Sequence, residues 1–212
     1  MQAEQVLVVS RQRIAEYLEP CRKGLITDAD AVAGILGAVH ADAFFLDRPL
    51  AERDPSFKQI IPYVTVCRRD LILMILRKNK QNEQRLHDLY SIGQGGHINP
   101  LPGLGGAELI RAELQRELLE EIALGPDSYN LAPVGIINDD HTEVGSVHLG
   151  LWYLAETALV EFSTNEPDKI EGAWVQRCEV LAKYDKLETW SQIVADRLLR
   201  KERPCPGEIA SS

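Results

Sequence analysis

The 212-residue sequence predicts an α/β fold in which helices cover a mixed sheet. Three observations carry that reading. Apolar runs of strand length recur between residues 60 and 178, and segments with helical spacing of apolar residues stand before, between and after them. The two kinds alternate irregularly rather than as a strict βαβ repeat. With 45% hydrophobic and 26% charged residues the composition is that of an ordinary globular chain, long enough for one domain of roughly 150 residues plus an extension.

The elements follow in order. Residues 1–54 read as an N-terminal extension: a short strand at Val6–Val9, a helix at Gln12–Leu18, and a second helix from Thr27 and Asp28 to about His40. Thr27 and Asp28 can accept hydrogen bonds from the unpaired N–H groups of that helix. The proline- and charge-rich stretch DRPLAERDPSFKQ reads as a loop. IIPYVTVC, a turn at Arg68-Arg69-Asp70 and LILMILR predict an antiparallel hairpin, its second strand apolar on both faces and so central. SIGQGGHINPLPGLGG follows the polar stretch after Arg77, and its glycines let the backbone approach a ligand closely. Glu108–Leu124 is the strongest helical segment, stopped by Gly125-Pro126. Strands are expected at Ala132–Ile137 and Gly145–Leu154, with the acidic turn NDDHTE between them, and a short one at Trp174–Cys178. LETWSQIVADRLL has helical spacing and should pack on the sheet, and residues 203–212 read as a tail.

The formal charge of −9 disfavours duplex nucleic acid as a partner, because such binding draws its affinity from dense Lys and Arg. Cys21, Cys67, Cys178 and Cys205 lie far apart and read as reduced thiols. There is no basic segment ahead of an apolar one at the start and no run of 18 apolar residues, so a cytoplasmic protein without membrane contact is expected.

The 108–124 helix concentrates charge, with five acids and two arginines between Glu108 and Glu121. At about 100° per residue, Glu113, Glu117, Glu120 and Glu121 share one side, while Leu114, Leu118, Leu119 and Ile122 take the other. Like charges at i and i+4 oppose an isolated helix. A solvated face explains many such patterns, but a divalent cation also compensates, and carboxylate oxygens are the ligands Mg²⁺ or Mn²⁺ prefers. Position favours the cation, since this helix directly follows the glycine-rich loop.

These residues resemble the Nudix hydrolases, whose box reads G-x5-E-x7-R-E-U-x-E-E-x-G-U with U a bulky aliphatic. Glu108 is followed after seven residues by Arg116-Glu117-Leu118-Leu119-Glu120-Glu121-Ile122-Ala123-Leu124. Two positions depart from the box. Pro102 stands where its first glycine belongs, with LPGLGG reading as an insertion after Gly95-Gly96-His97-Ile98-Asn99-Pro100; Ala123 replaces its last glycine, so the helix is expected to run on to a cap at Gly125. NEQRLHDLYSIGQGGHINP, VGSVHLGLWYL and LETWS also resemble a bacterial group of predicted Nudix phosphoesterases, which supplies no substrate.

The resemblance implies a Nudix-type α/β/α sandwich over residues 55–202 and metal-assisted attack of water on a phosphoanhydride, commonly of a nucleoside diphosphate linked to another group. It assigns Glu117, Glu120 and Glu121 to Mg²⁺ or Mn²⁺, with a backbone carbonyl of Gly95 or Gly96, and makes Arg116 the residue that orients a neighbouring glutamate. Arg77, His97 and Glu143 are candidates for substrate contact; the general base is left open between a box glutamate such as Glu117 or Glu120 and a carboxylate of the later loop, Asp139, Asp140 or Glu143. His87, His141 and His148 show no metal-ligand spacing. A homodimer follows from the resemblance alone. Two other readings remain: a nucleotide-binding module without catalysis, which would usually lack box carboxylates, and an isopentenyl-diphosphate isomerase, which needs a cysteine where this chain has Gly95-Gly96-His97.

Overall fold

A computed structural model of the chain describes residues 3–77, 89–165, 167–168 and 170–199. β1 (Gln5–Ser10) and α1 (Arg11–Leu18) stand where the pattern places them. α2 (Ala29–Asp42) opens at Asp28, whose carboxylate accepts from the Ala31 N–H at 3.0 Å. In this N-terminal segment three short elements escape the sequence pattern: β2 (Lys23–Ile26), β3 (Phe44–Asp47) and, inside the expected loop, α3 (Arg48–Ala51). Each is four residues long, too short for a period to show, and the two strands are fixed by pairing with distant partners.

β4 (Phe57–Arg68) and β5 (Leu71–Arg77) form the expected hairpin, with Arg69 at φ 54° in its turn. The glycine segment contributes β6 (Tyr90–Ser91) and β7 (Gln94–Gly95) before α4 (Gly106–Ile122). α4 ends two residues earlier than expected: Ala123 takes a left-handed conformation at φ 51° and closes the helix itself, so the cap is not at Gly125. β8 (Tyr129–Asp139) and β9 (His148–Thr157) flank a helical turn, α5 (Glu143–Ser146). Gly145 therefore belongs to that turn and not to a strand, because Thr142 caps it by accepting from the Gly145 N–H at 3.0 Å. β10 (Ile170–Gln176) begins earlier than the pattern implied, and Cys178 falls in α6 (Arg177–Ala182), which a capping box at Gln176 and Glu179 starts. α7 (Thr189–Leu198) completes the described chain.

The sheet runs β10-β5-β4-β9-β8-β2, with β1 on β4 and β3 on β1. β4 and β9 pair in parallel while the other named strand pairs among the described residues are antiparallel, so the sheet is mixed. Lys58–Val66 is buried without interruption, which makes β4 the centre of the sheet and leaves β5 second from its edge. α1, α2 and the first half of α4 cover one face with Ile14, Leu18, Ile35, Val39, Leu109 and Ile110. The second half of α4 continues that layer over Val64, Val66, Leu73 and Ile75 through Leu114, Leu118 and Ile122. On the opposite face α6 and α7 bury Val180, Ile193 and Val194 against Tyr63, Ile137 and Trp152. The result is an α/β/α sandwich. Among the described residues no helix is long and apolar enough to cross a membrane.

One break in the sheet matters for function. β4 and β5 pair only beside their turn, at Cys67↔Ile72 and Arg68↔Leu71. Further along they diverge: β7 pairs with β4 at Tyr63 and Val64, and β6 with β5 at Ile75 and Leu76. The wedge so formed delivers Gly95 and Gly96 to the side of α4.

Candidate active site

The wedge strand lies against β4 with no room for a side chain: a Cβ on Gly95 would stand 2.5 Å from the Pro62 carbonyl oxygen. At Gly96 a Cβ would lie 2.4 Å from Oε1 of Glu117. The absence of a side chain at 96 is thus what lets the Glu117 carboxylate close against the turn. The inserted residues before α4 make a turn of their own, with Leu104 N–H donating to the Leu101 carbonyl at 3.2 Å, and do not displace Gly96 from Glu117.

On α4 the acidic side is organised by Arg116. Its Nη2 donates to Glu113 Oε2 at 2.8 Å and to Glu117 Oε1 at 2.6 Å, and its Nη1 to Glu120 Oε2 at 2.6 Å. Burial opposes the charge of Arg116, but the hydrogen bond to Glu113 and the charges of Glu117, Glu113 and Glu120 outweigh it and raise the pKa. Desolvation raises the pKa of Glu117; Arg116 pulls it down, and Glu121 and Glu120 push it further up. Two residues differ from the helical-wheel reading. Glu113 is 1% exposed and serves as the buried anchor of Arg116, while Leu119 is 48% exposed and faces water. Glu121 is half-buried, and its carbonyl accepts from Thr164 Oγ at 2.6 Å.

The residues present suit a hard cation. Glu117 and Glu120 each give one oxygen to Arg116 and retain a second, Oε2 and Oε1, and a carboxylate has lone pairs for both tasks. Among the described residues no three His, Cys, Asp or Glu groups already stand in ligand geometry, so a cation would draw these carboxylates inward.

His97, next to the glycines, faces His148 at the start of β9, with Nε2 to Nε2 at 3.2 Å. A carbonyl can only accept, so the 2.7 Å contact of His148 Nδ1 with the Val144 oxygen is a donation from the ring. In the neutral pair His148 Nε2 then accepts and His97 Nε2 donates, which leaves Nδ1 of His97 as its acceptor. Burial, then Arg48 and His148, bring the His97 pKa down to about 4 against the opposing charges of Glu4 and Glu52. His97 is therefore neutral near pH 7.

The acidic turn divides its carboxylates. Asp139 is buried and accepts from the His141 N–H at 3.2 Å and the Thr142 hydroxyl at 3.4 Å. Asp140 pairs with Arg11 and, at 2.7 Å, with the fully buried Lys58, which also donates to the carbonyls of Gly145 and His148. Desolvation works against the Asp140 charge, but Lys58, Asn138 and Arg11 hold its pKa below the usual value. Both aspartates thus fasten the turn, and Glu143 alone of the three acids is exposed. Arg77 ends β5 opposite Ile170; its side chain, like His87, lies outside the described residues.

No family model matches the chain. It is 36% identical over 202 residues to Protein YmaB of Bacillus subtilis (strain 168), which spans 92% of this chain and 97% of YmaB. The crystal structure of Tm1382, a proposed Nudix hydrolase, is 31% identical and superposes with a TM-score of 0.78 over 93% of this chain and 99% of its own. The chain belongs to the Nudix superfamily. The same fold, at 12% identity and a TM-score of 0.52, occurs in the NUDIX domain of Shewanella oneidensis NrtR complexed with ADP ribose, covering 66% of this chain and 85% of that one.

Within this Nudix chain the departure at Ala123 changes nothing upstream, because alanine adopts the backbone conformation the box glycine is suited to. Sequence reasoning missed the burial of Glu113, the His97–His148 contact and the anchor Lys58. Only the last left a signal, a lysine just ahead of the apolar run IIPYV. Glu4, Arg48 and Glu52, which surround His97, come from the N-terminal segment and carry no motif.

Proposed function

We propose that this Nudix protein hydrolyses a phosphoanhydride bond of a small nucleotide-type substrate, such as a nucleoside diphosphate linked to another group, by attack of water on phosphorus. The observation that carries the reading is the set of carboxylates on α4, gathered by Arg116 and closed against Gly96. Glu117, Glu120 and Glu121, with the Gly96 carbonyl, would hold Mg²⁺ or Mn²⁺; such an ion, when bound, neutralises phosphate charge and lowers the pKa of a coordinated water.

The chain's own residues do the rest. Arg116 keeps Glu117 and Glu120 aligned and offsets part of their mutual repulsion. Glu117, shielded from water, holds its charge at a cost that a bound cation would remove. Neutral His97 offers substrate a dipole rather than a charge, and Glu143, exposed at the acidic turn, is assigned to contact with substrate or with the attacking water. Net acidity is compatible with a polyanionic substrate that arrives with its cation.

The test is a panel of nucleoside diphosphate derivatives, nucleoside triphosphates and dinucleoside polyphosphates, with ADP ribose included, assayed for phosphate or monophosphate release. Turnover is expected only with Mg²⁺ or Mn²⁺, and Glu120→Gln should lower it by at least about a hundredfold, more than loss of a supporting residue around a metal usually costs. No turnover on any compound, together with metal-independent nucleotide binding, would replace hydrolysis by a binding role.

A further inference from the structure

Nε and Nη2 of Arg116 both donate to a single oxygen of Glu113, Oε2, at 3.0 and 2.8 Å, while Glu117 and Glu120 receive one N–H each. Glu113 lies three residues before Arg116, at a position the Nudix box leaves free, and is buried on α4 together with Leu109, Ile110 and Leu114. Glu108, the first glutamate of the box, is placed otherwise. It stands exposed in the first turn of α4, eight residues and so about 12 Å along the axis from Arg116, and makes no hydrogen bond or ion pair among the described residues. A carboxylate there favours the start of a helix through the helix dipole. It gives the arginine no support.

Two parallel N–H groups of a guanidinium can grip both oxygens of one carboxylate at once. On α4 the Nε–Nη2 edge is already taken by Glu113, so Arg116 meets Glu117 and Glu120 through one oxygen each and leaves each a second. Released from Glu113, that edge would be free to close on both oxygens of a neighbouring glutamate. Arginine and cation would then compete for the same carboxylate.

We propose that Glu113 is a positioning residue of the cation site: by occupying one edge of Arg116 it keeps that arginine from capping Glu117 and Glu120, a supporting place that the box glutamate Glu108 does not fill in this chain. The inference rests on the assignment of Glu117 and Glu120 to a divalent cation made above.

The probe is Mn²⁺, titrated into the full chain, with the free ion measured by electron paramagnetic resonance, which needs no substrate. The parent is expected to bind Mn²⁺ and Glu108→Gln to match it, while Glu113→Gln should bind about tenfold more weakly, the loss usual for a residue that supports metal ligands. Added to Arg116→Gln, the same change should lower affinity no further, because the anchor then has nothing to hold. Circular dichroism establishes that each variant is folded; Glu113→Leu, close in volume and without an acceptor, should lose at least as much and takes the place of Glu113→Gln if the amide variant does not fold. Equal affinity of parent and Glu113 variant, an equal loss in Glu108→Gln, or a full further loss in the Arg116→Gln background overturns the role of Glu113 and leaves the cation site standing. A parent that binds no Mn²⁺ overturns the cation site itself, and the role of Glu113 with it.

Discussion

Glu113 and Glu117 are one helical turn apart and chemically alike, yet burial gives them different work. Glu113 is buried and spends itself on Arg116; Glu117 shares that arginine but also meets Gly96 and the negative charge of its neighbours. His97 carries a comparable burden of opposite sign. Its folded pKa of about 4 lies below the 6.5 of a free imidazole, so the unfolded chain takes up the proton first as pH falls. Stability associated with the neutral ring is complete above pH 6.5 and is lost between 6.5 and about 4. Melting temperature should therefore fall less steeply across that window in His97→Asn than in the parent, and equal slopes would show that His97 takes no part.

At the scale of elements, the end of α4 invites a direct measurement. A non-glycine residue in the left-handed region costs about 1–2 kcal/mol, part of which glycine gives back through the greater freedom of its unfolded chain. Ala123→Gly should stabilise the protein by up to about 1 kcal/mol and raise the melting temperature by about 2–4 °C. An unchanged or lower melting point would mean that Ala123 bears no strain. Long elements with many repeats of their period were legible in the sequence: α4, the β4–β5 hairpin, β8, β9 and α7. The short ones were not, because β2 and β3 exist through pairing with β8 and β1 rather than through any preference of their own residues. The same division holds for the site. Its carboxylates lie on one helix and could be read as a spacing, whereas the contact of His97 with His148 joins segments 51 positions apart.

For the whole molecule, the N-terminal segment is built into the core. Ile14 and Ile35 are fully buried among Ile60, Ile98, Leu109 and Leu149, and β1 is hydrogen-bonded to β4. Each such side chain contributes about 1.5–3 kcal/mol by burial, against a total stability of roughly 5–15 kcal/mol for a typical domain. A chain beginning at residue 55 should therefore lack fixed tertiary structure, seen as loss of near-ultraviolet circular dichroism; a native spectrum would show that the remainder folds alone.

The parallel pairing of β4 with β9 bears on how the protein comes to exist at all. Lys58 and His148, which meet across that pair, are 90 positions apart, and closing so long a loop is slow compared with winding a helix. α4 needs only its own residues to wind, so its acidic side can form before the turn at Gly96 is in place to receive Glu117. On the function proposed above, affinity for a cation would then be among the last properties a newly made chain acquires, because the helix can wind before Glu117 is closed against Gly96.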